Sequence, residues 1–420
     1  MLFAALSVTH GIAMGAAPDA LPDFAATEAK YTTALSACSD CVELPAILDQ
    51  LGGLYHVHGR YLAAEPLYQR ALGVREEKSG TTALELLPPL NNLSLLYRDI
   101  ADFKRARQYA ERAVAIVDLH QAEESADGAA SYASLGAILE IQGEIANATK
   151  LLERALAIRE RLFGNRQIVI AETLSDLALA NRLSGKLNRA AELYRSALSI
   201  YADQTDAQNK NLAITLNNLG QVLVQEGKFK EAEPLFHQAI VQAEQRLGPQ
   251  HPTVAAALTN LANLYYLRRR LNDAEVLIRR AEQIDRRSFP SQHPRIANDL
   301  SLEAALAFER KHYASAEALL KDAMGILAQR YPSTHPEIGK LTASLAEVYV
   351  RQSRAAEAER AFADALAILE PAWGSDSPQL LPTLQSYARL LRARQDYAEA
   401  ASVDAHVMKI RVTQARRGNA

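Results

Sequence analysis

The chain repeats itself with a regular period of 42 over most of its length. Nine copies follow one another without insertion or deletion, starting at Leu44, Leu86, Gly128, Ile170, Leu212, Val254, Ile296, Ile338 and Leu380. We give positions within a copy as offsets from its start. Offset 20 is alanine in all nine copies, and offset 27 is alanine in every copy except the last, which has Val407. A fixed period of this length indicates an array in which each copy packs on its neighbours.

Each copy contains two helical patterns. In the fifth copy, apolar side chains recur at intervals of three and four, first over residues 212–223 and again over 229–240. This spacing is typical of amphipathic helices. Gly227 separates the two patterns, and the small residues Gly220 and Ala232 allow two antiparallel helices to approach closely. A larger side chain there would overpack the contact, at a cost of about 1–3 kcal/mol. The predicted fold class is therefore all-α, made of stacked antiparallel helix pairs.

The first copy carries a recognisable series of residues. Leu51-Gly52-Tyr55-Gly59-Ala64-Tyr68-Ala71 resembles the tetratricopeptide repeat (TPR). The length of the copy, together with Leu-Asn-Asn-Leu-Gly at 216–220 and Leu-Gly-Pro-Gln-His-Pro at 247–252, is similar to the kinesin light chain type. The resemblance covers residues 44 to about 414. It implies a right-handed α-solenoid, the TPR superhelix, and it leaves the function open because repeat scaffolds have many roles.

Three segments follow from these patterns. Residues 1–17 contain no acidic or basic side chain and end in small residues before Pro18, which resembles the apolar core and cleavage region of a secretory signal. No Lys or Arg follows Met1, so the alternative is an N-terminal extension of a cytoplasmic protein. Residues 18–43 are predicted to form a capping helix and a loop, because 28–35 match the second-helix segment at 65–72. Residues 44–417 hold the nine repeats. Export predicts a periplasmic or secreted protein.

Cys38 and Cys41 are the only cysteines in the chain. If the protein is exported, we expect them to form a local disulfide, since disulfides persist in oxidising compartments. In a cytoplasmic protein they are two thiols. A redox site would need a strand-helix-strand context, and a zinc site would need two further ligands. Neither is recognisable nearby.

Other classes of function find little support. His251, His293 and His335 recur once per copy, which separates neighbours by about 10 Å, too far for one metal ion. We predict no metal and no cofactor. The basic stretch Arg268–270 follows Tyr265 and Tyr266, and we interpret it as a solvated face, with a patch for an acidic partner as the alternative. The net charge of −3 argues against nucleic-acid binding.

The sequence contains no apolar run of about 18 residues, so no stable membrane insertion is expected. No phosphate-binding loop, nucleophile elbow or zinc-protease helix is present in the sequence, and we predict that the protein is not an enzyme.

The resemblance implies that the first helix of each copy lines the concave face. Side chains at offsets 2, 5, 6, 9, 12 and 13 then point inward. An amide there can donate to and accept from the backbone of an extended peptide. Arg98 adds positive charge to this face, while Asp176, Glu309 and Glu347 add negative charge. The predicted peptide-binding residues are Arg182, Asn217, Asn218, Gln221, Gln225, Asn260, Asn263 and Tyr266.

Two interpretations of these amides remain open. They bind an extended peptide, in which case we expect them to face solvent in the free protein, or they solvate the inner face and bond between neighbouring copies. The predicted function is a non-catalytic scaffold or adaptor for a protein or peptide partner, with the oligomeric state left open. One alternative is a sensor or regulatory arm that controls a separately encoded effector. Another is an enzyme, since a fold does not exclude a catalytic site.

Overall fold

A computed structural model describes residues 24–38, 41–202 and 211–418. This part of the chain contains nineteen α-helices, two single-turn 3-10 helices and no strand. The predicted signal segment at 1–17 lies outside the described residues, as does the start of the segment at 18–43. No helix within the described residues is both long enough and apolar enough to cross a membrane.

One helix, α1 (Phe24–Ala37), precedes nine helix pairs. The pairs are α2 (Leu44–Val57) with α3 (Tyr61–Ser79), α4 (Leu87–Asp99) with α5 (Phe103–Leu119), α6 (Ala126–Ile141) with α7 (Ile145–Phe163), α8 (Ile168–Leu183) with α9 (Leu187–Ala202), α10 (Leu212–Gln225) with α11 (Phe229–Leu247), α12 (Pro252–Leu267) with α13 (Leu271–Ser288), α14 (Pro294–Glu309) with α15 (Tyr313–Ala328), α16 (Pro336–Arg351) with α17 (Ala355–Trp373), and α18 (Leu381–Ala393) with α19 (Tyr397–Gly418). The 3-10 turns Leu84–Leu86 and Pro378–Leu380 precede α4 and α18. The sequence period therefore corresponds to one helix pair, as predicted.

The helices form two compact units. The N-terminal unit ends at Leu264 and the C-terminal unit begins at Tyr265, a boundary that falls inside α12. Each unit has an interior made of the recurring apolar and alanine positions. The alanine at offset 20 has no exposed surface in eight copies, and Ala400 in the last copy is only 2% exposed.

The turn between the two helices of each pair has one recurring backbone feature. The residue at offset 15 has a positive φ in all nine copies. Glycine occupies this position in four copies, for example Gly59 with φ 71°, because it adopts the left-handed region without a Cβ clash. The other five copies hold a larger residue there, for example Lys311 with φ 65°. The turn geometry is thus set by the repeat, and glycine is its least strained occupant.

The close approach predicted inside a pair is present. A Cβ atom at Gly220 would lie 2.6 Å from Cε1 of Phe236, well inside van der Waals contact. Ala232, on the helix that carries Phe236, is completely buried. Equivalent close approaches occur at Gly52 against Tyr68 and at Gly136 against Leu152, both at 2.9 Å. The first and second helices of these pairs therefore meet through glycine.

The His-Pro junctions are helix caps. The Nδ1 atoms of His251, His293 and His335 accept hydrogen bonds from the backbone N–H two residues later, at 3.1, 3.2 and 3.3 Å. A helix start leaves several backbone N–H groups without partners, and the imidazole satisfies one of them. This role explains why the histidines recur once per copy.

The basic stretch is held by neighbouring side chains of the C-terminal unit. Arg269 forms an ion pair with Glu309 at 2.7 Å, and Arg270 pairs with Asp273 at 2.7 Å. The Arg270 guanidinium also lies 3.9 Å from the centroid of the Tyr265 ring. These contacts fit the interpretation of a solvated face.

The helix α1 packs on the first repeat of the N-terminal unit. The hydroxyl of Tyr55 donates to Glu28 Oε1 at 2.8 Å, and the ring of Phe24 lies 4.7 Å from that of His58. Cys38 and Cys41 follow α1 and form a disulfide bond, with Cα atoms 5.4 Å apart. Cys38 is buried in a cluster with Leu44.

Candidate functional site

A row of charged side chains crosses the interior of the N-terminal unit. One residue stands at offset 12 in each of the first four repeats, and each is buried, with 4–5% of its surface exposed. These residues are His56, Arg98, Glu140 and Arg182. We call them the charged row. Burial of charge without compensation is costly, so charged side chains inside a fold require an explanation.

The first two members of the charged row share one carboxylate. Asp99 Oδ2 lies 2.8 Å from His56 Nε2, and Arg98 Nε donates to Asp99 Oδ1 at 3.0 Å. Burial raises the pKa of Asp99, but the positive charge of Arg98 and the hydrogen bond to His56 outweigh it and lower the pKa below its ordinary value. Arg98 is thus matched by an ionised partner.

A second buried group lies around α8. Arg159 donates to the Thr173 hydroxyl at 2.6 Å, and Asn211 donates to Glu172 at 2.7 Å. Burial raises the pKa of Asp176 to about 6, although the charges of Arg98 and Arg159 oppose the shift. Asp176 is therefore a carboxylate that the two arginines only partly compensate.

Glu140 is a member of the row whose charge is incompletely compensated. Its Oε1 atom is buried and has no hydrogen-bond partner in the described part of the chain. Burial raises the pKa of Glu140 well above its ordinary value, and the negative charge of Asp176 adds to the shift. Arg98 and Arg182 lower the pKa less than these effects raise it. Buried carboxyl groups normally have a hydrogen-bond partner, so Glu140 stands out.

The predicted amides lie on the interior of the N-terminal unit but do not face solvent. Asn217, Asn218, Gln221 and Asn260 are each 4–6% exposed. Asn260 Nδ2 donates to Asn217 Oδ1 at 2.9 Å, so this pair bonds between neighbouring repeats. The packing around these side chains therefore covers most of their surface.

The remaining predicted residues are distributed differently. Gln225 is exposed at the end of α10, and Asn263 is half-buried, with an Oδ1 atom that has no hydrogen-bond partner among the described residues. Tyr266 lies in the C-terminal unit, where its hydroxyl donates to Glu309 Oε1 at 3.4 Å. Arg182 belongs to the charged row.

Sequence reasoning passed over Glu140 and His56. Both stand at offset 12, the same inward position as Arg98 and Arg182. The repeat register alone therefore indicated an inward position for both residues.

The N-terminal unit is closed by a contact between distant repeats. The Nδ1 atom of His251 accepts from the Thr253 N–H, so its Nε2 atom carries the hydrogen and donates to the carbonyl of Val57 at 3.0 Å. A Cβ atom at Gly59 would lie 3.1 Å from Cδ of Pro252. The turn of the first repeat therefore touches the start of α12. We call this contact the closure.

Comparison with known families places the chain in one of them. The tetratricopeptide repeat family matches residues 43–118, 128–203, 211–287 and 338–411. These segments cover well over half of the chain, and the protein belongs to the tetratricopeptide repeat family. The match confirms the resemblance drawn from the first copy. No curated protein was found to match the chain.

Several solved structures are similar to this chain. BtubC (BKLC) from P. vanneervenii is 22% identical, with 54% of this chain and 90% of that chain covered and a TM-score of 0.41. A putative kinesin light chain from Podosopora anserina is also 22% identical, with 48% and 96% covered and a TM-score of 0.38. A Rap protein complexed with Competence and Sporulation Factor is 16% identical, with 89% and 99% covered and a TM-score of 0.63. The last similarity extends the shared fold over most of both chains.

Proposed function

We propose that this protein is a binding scaffold that holds an extended segment of a partner protein, or a free peptide, against the interior face of its N-terminal unit. The observation that carries the proposal is the Glu140 carboxyl group, which is buried among charged and amide side chains without a hydrogen-bond partner for Oε1 in the described residues. Apolar side chains would stabilise a purely structural interior better than such a group. A ligand that donates a hydrogen bond accounts for its presence.

The surrounding side chains suit an extended main chain. An extended peptide presents N–H and C=O groups at about 3.3 Å per residue. Asn218 and Gln221 each carry a donor and an acceptor on α10, one turn apart. Ala137 lies one turn before Glu140 on α6 and is 7% exposed.

The Rap protein structure is consistent with this use of the fold. That protein is complexed with Competence and Sporulation Factor, and the present chain shares the fold along most of its length. A regulatory arm that controls a separately encoded effector would use the same interior face. In either case the chain acts by binding and carries out no catalysis.

We also propose that the protein is exported to a periplasmic or secreted location. The Cys38–Cys41 disulfide supports this location, because such bonds persist mainly in oxidising compartments.

The scaffold proposal is tested by selecting peptides on the folded protein. A phage library of random twelve-residue peptides is panned on the full chain, and enriched peptides are synthesised and measured by calorimetry. Ala137→Phe fills the interior face and should weaken binding by about tenfold or more, which corresponds to about 1.4 kcal/mol. Ala146→Phe, the same change at an exposed position of the paired helix α7, should leave affinity unchanged. Failure to enrich any peptide, or equal affinities for both variants, contradicts the proposal.

A further inference from the structure

The interior of the N-terminal unit holds several buried ionisable side chains, including His56 beside Asp99. Among its described residues, the buried carboxyl groups outnumber the buried arginines by one. The carboxyl groups belong to Asp99, Glu140, Glu172 and Asp176, and the arginines are Arg98, Arg159 and Arg182. A buried site with an excess carboxyl group either keeps a proton or takes a positive charge from a ligand.

The contacts identify which carboxyl group lacks a donor. Asp99 is bonded to Arg98 and His56, and Glu172 accepts from Asn211. Asp176 is placed between the charges of Arg98 and Arg159. Glu140 alone among the four has a buried oxygen without a hydrogen-bond partner in the described residues. The buried carboxyl group that lacks a donor is therefore that of Glu140.

The neighbouring helix also offers an acceptor without a donor. Asn91 on α4 is 6% exposed, and its Oδ1 atom has no hydrogen-bond partner within the described part of the chain. The helices α4 and α6 are in contact. Two adjacent first helices thus bury oxygen atoms that have no hydrogen-bond donor among the described residues. A cationic group supplies the N–H donors that these two oxygen atoms lack, together with a charge opposite to that of an ionised Glu140.

We infer that the bound segment places a cationic group, an ammonium or a guanidinium, on the carboxylate of Glu140. This inference rests on the scaffold function proposed above and names the chemistry of its ligand. The cation comes from a lysine or arginine side chain or from a free N-terminus, which share the N⁺–H donors that a buried carboxylate requires.

Binding of such a group is linked to the release of a proton. Glu140 faces Asp176 and Arg182 on α8 and Arg98 on α4, and the Tyr194 hydroxyl on α9 also interacts with it. Because burial and Asp176 favour the protonated carboxyl group in the free protein, the cation replaces that proton. Affinity for a cationic peptide should therefore rise with pH up to the pKa of Glu140.

The test uses synthetic libraries of eight-residue peptides, prepared with free and with acetylated N-termini. The full-length wild-type protein is compared with Glu140→Gln and with Glu153→Gln, which removes an exposed carboxylate from α7. We expect wild type and Glu153→Gln to select peptides with a lysine or arginine at one position, or only peptides with a free N-terminus. Glu140→Gln should bind the best peptide about ten- to a hundredfold more weakly. The acetylated library separates the two sources of the cation.

A peptide in which norleucine replaces lysine, or citrulline replaces arginine, completes the double-mutant cycle. This neutral peptide should bind wild type and Glu140→Gln equally. A melting temperature of Glu140→Gln no lower than that of wild type shows that the variant is folded. Selection of acidic or uncharged peptides, or an unchanged affinity of Glu140→Gln for the cationic peptide, overturns the inference and leaves the scaffold function standing. Failure of the wild type to bind any peptide overturns both.

Discussion

Replacing Asp176 by asparagine should stabilise the protein at neutral pH and have little effect in acid. The side chain is 8% exposed, and burial raises the pKa of its carboxyl group from an ordinary 3.8 to about 6. Asparagine has nearly the same shape as the protonated aspartic acid but never ionises. The variant therefore isolates the free energy of ionising Asp176 inside the fold.

The magnitude follows from the size of the pKa shift. Between pH 3.8 and about pH 6 the folded protein keeps a proton on Asp176 that the unfolded chain has released. Stability consequently falls as pH rises through this window, by about 1.4 kcal/mol per pH unit. The full shift corresponds to about 3 kcal/mol. Above this pH window the loss of stability is complete and no longer changes with pH.

The assay is urea denaturation of wild type and Asp176→Asn at about pH 5 and about pH 7.5, followed by the helical circular dichroism signal. About half of the window lies above pH 5, so the advantage of the variant should grow by roughly 1.4 kcal/mol between the two conditions. Glu153→Gln, at an exposed position of α7, should show no such growth. If the difference in unfolding free energy between the variant and wild type stays constant, or shifts in favour of wild type as pH rises, then Arg98 and Arg159 hold Asp176 ionised. Either result would refute the reasoning.

Three further predictions concern packing, pairing and export. Gly220→Ala should destabilise the protein by about 1–3 kcal/mol. Gly325→Ala, where a Cβ atom meets nothing within 4 Å, should instead stabilise α15 by about 0.5–1 kcal/mol. Thermal denaturation distinguishes the two variants, and equal shifts in their melting temperatures would contradict the close approach. Asn217→Ala and Asn260→Ala should each cost about 1 kcal/mol and be non-additive together, which additive losses in a double-mutant cycle would contradict. In protein purified from its native compartment without reductant, both cysteines should resist alkylation, and N-terminal sequencing should find a start near residues 16–19. Alkylated thiols together with an intact Met1 would contradict the export proposal.

The fold was predictable because it is encoded locally and many times over. The alanine at offset 20 is buried in every copy, and Gly220 meets Phe236 as its small size indicated. The turn position that holds Gly59 has a positive φ even where Lys311 replaces glycine, so the register alone located it.

The burial of the interior face was not predictable in the same way. It depends on how far successive repeats rotate, a small angle per repeat that accumulates along the array. The register predicts an inward position for Asn217, but its bond to Asn260 and its loss of solvent contact depend on how the neighbouring repeats pack. Glu140 was overlooked because a glutamate on a helix is usually solvated, and nothing in its own repeat shows that it is buried.

The closure changes how the N-terminal unit can come apart. In an open array each repeat touches only its neighbours, so the terminal repeat can fray while the others stay folded. The hydrogen bond from His251 to Val57 joins residues 194 positions apart and anchors the first repeat to a distant one. Fraying of α2 must then break a long-range contact as well as a local one, so its backbone amides should exchange with solvent almost as slowly as those of α10. Such a contact also slows folding, since the chain must enclose a large loop before it forms. The first repeat of this protein is therefore the part of the N-terminal unit whose stability depends most on distant sequence.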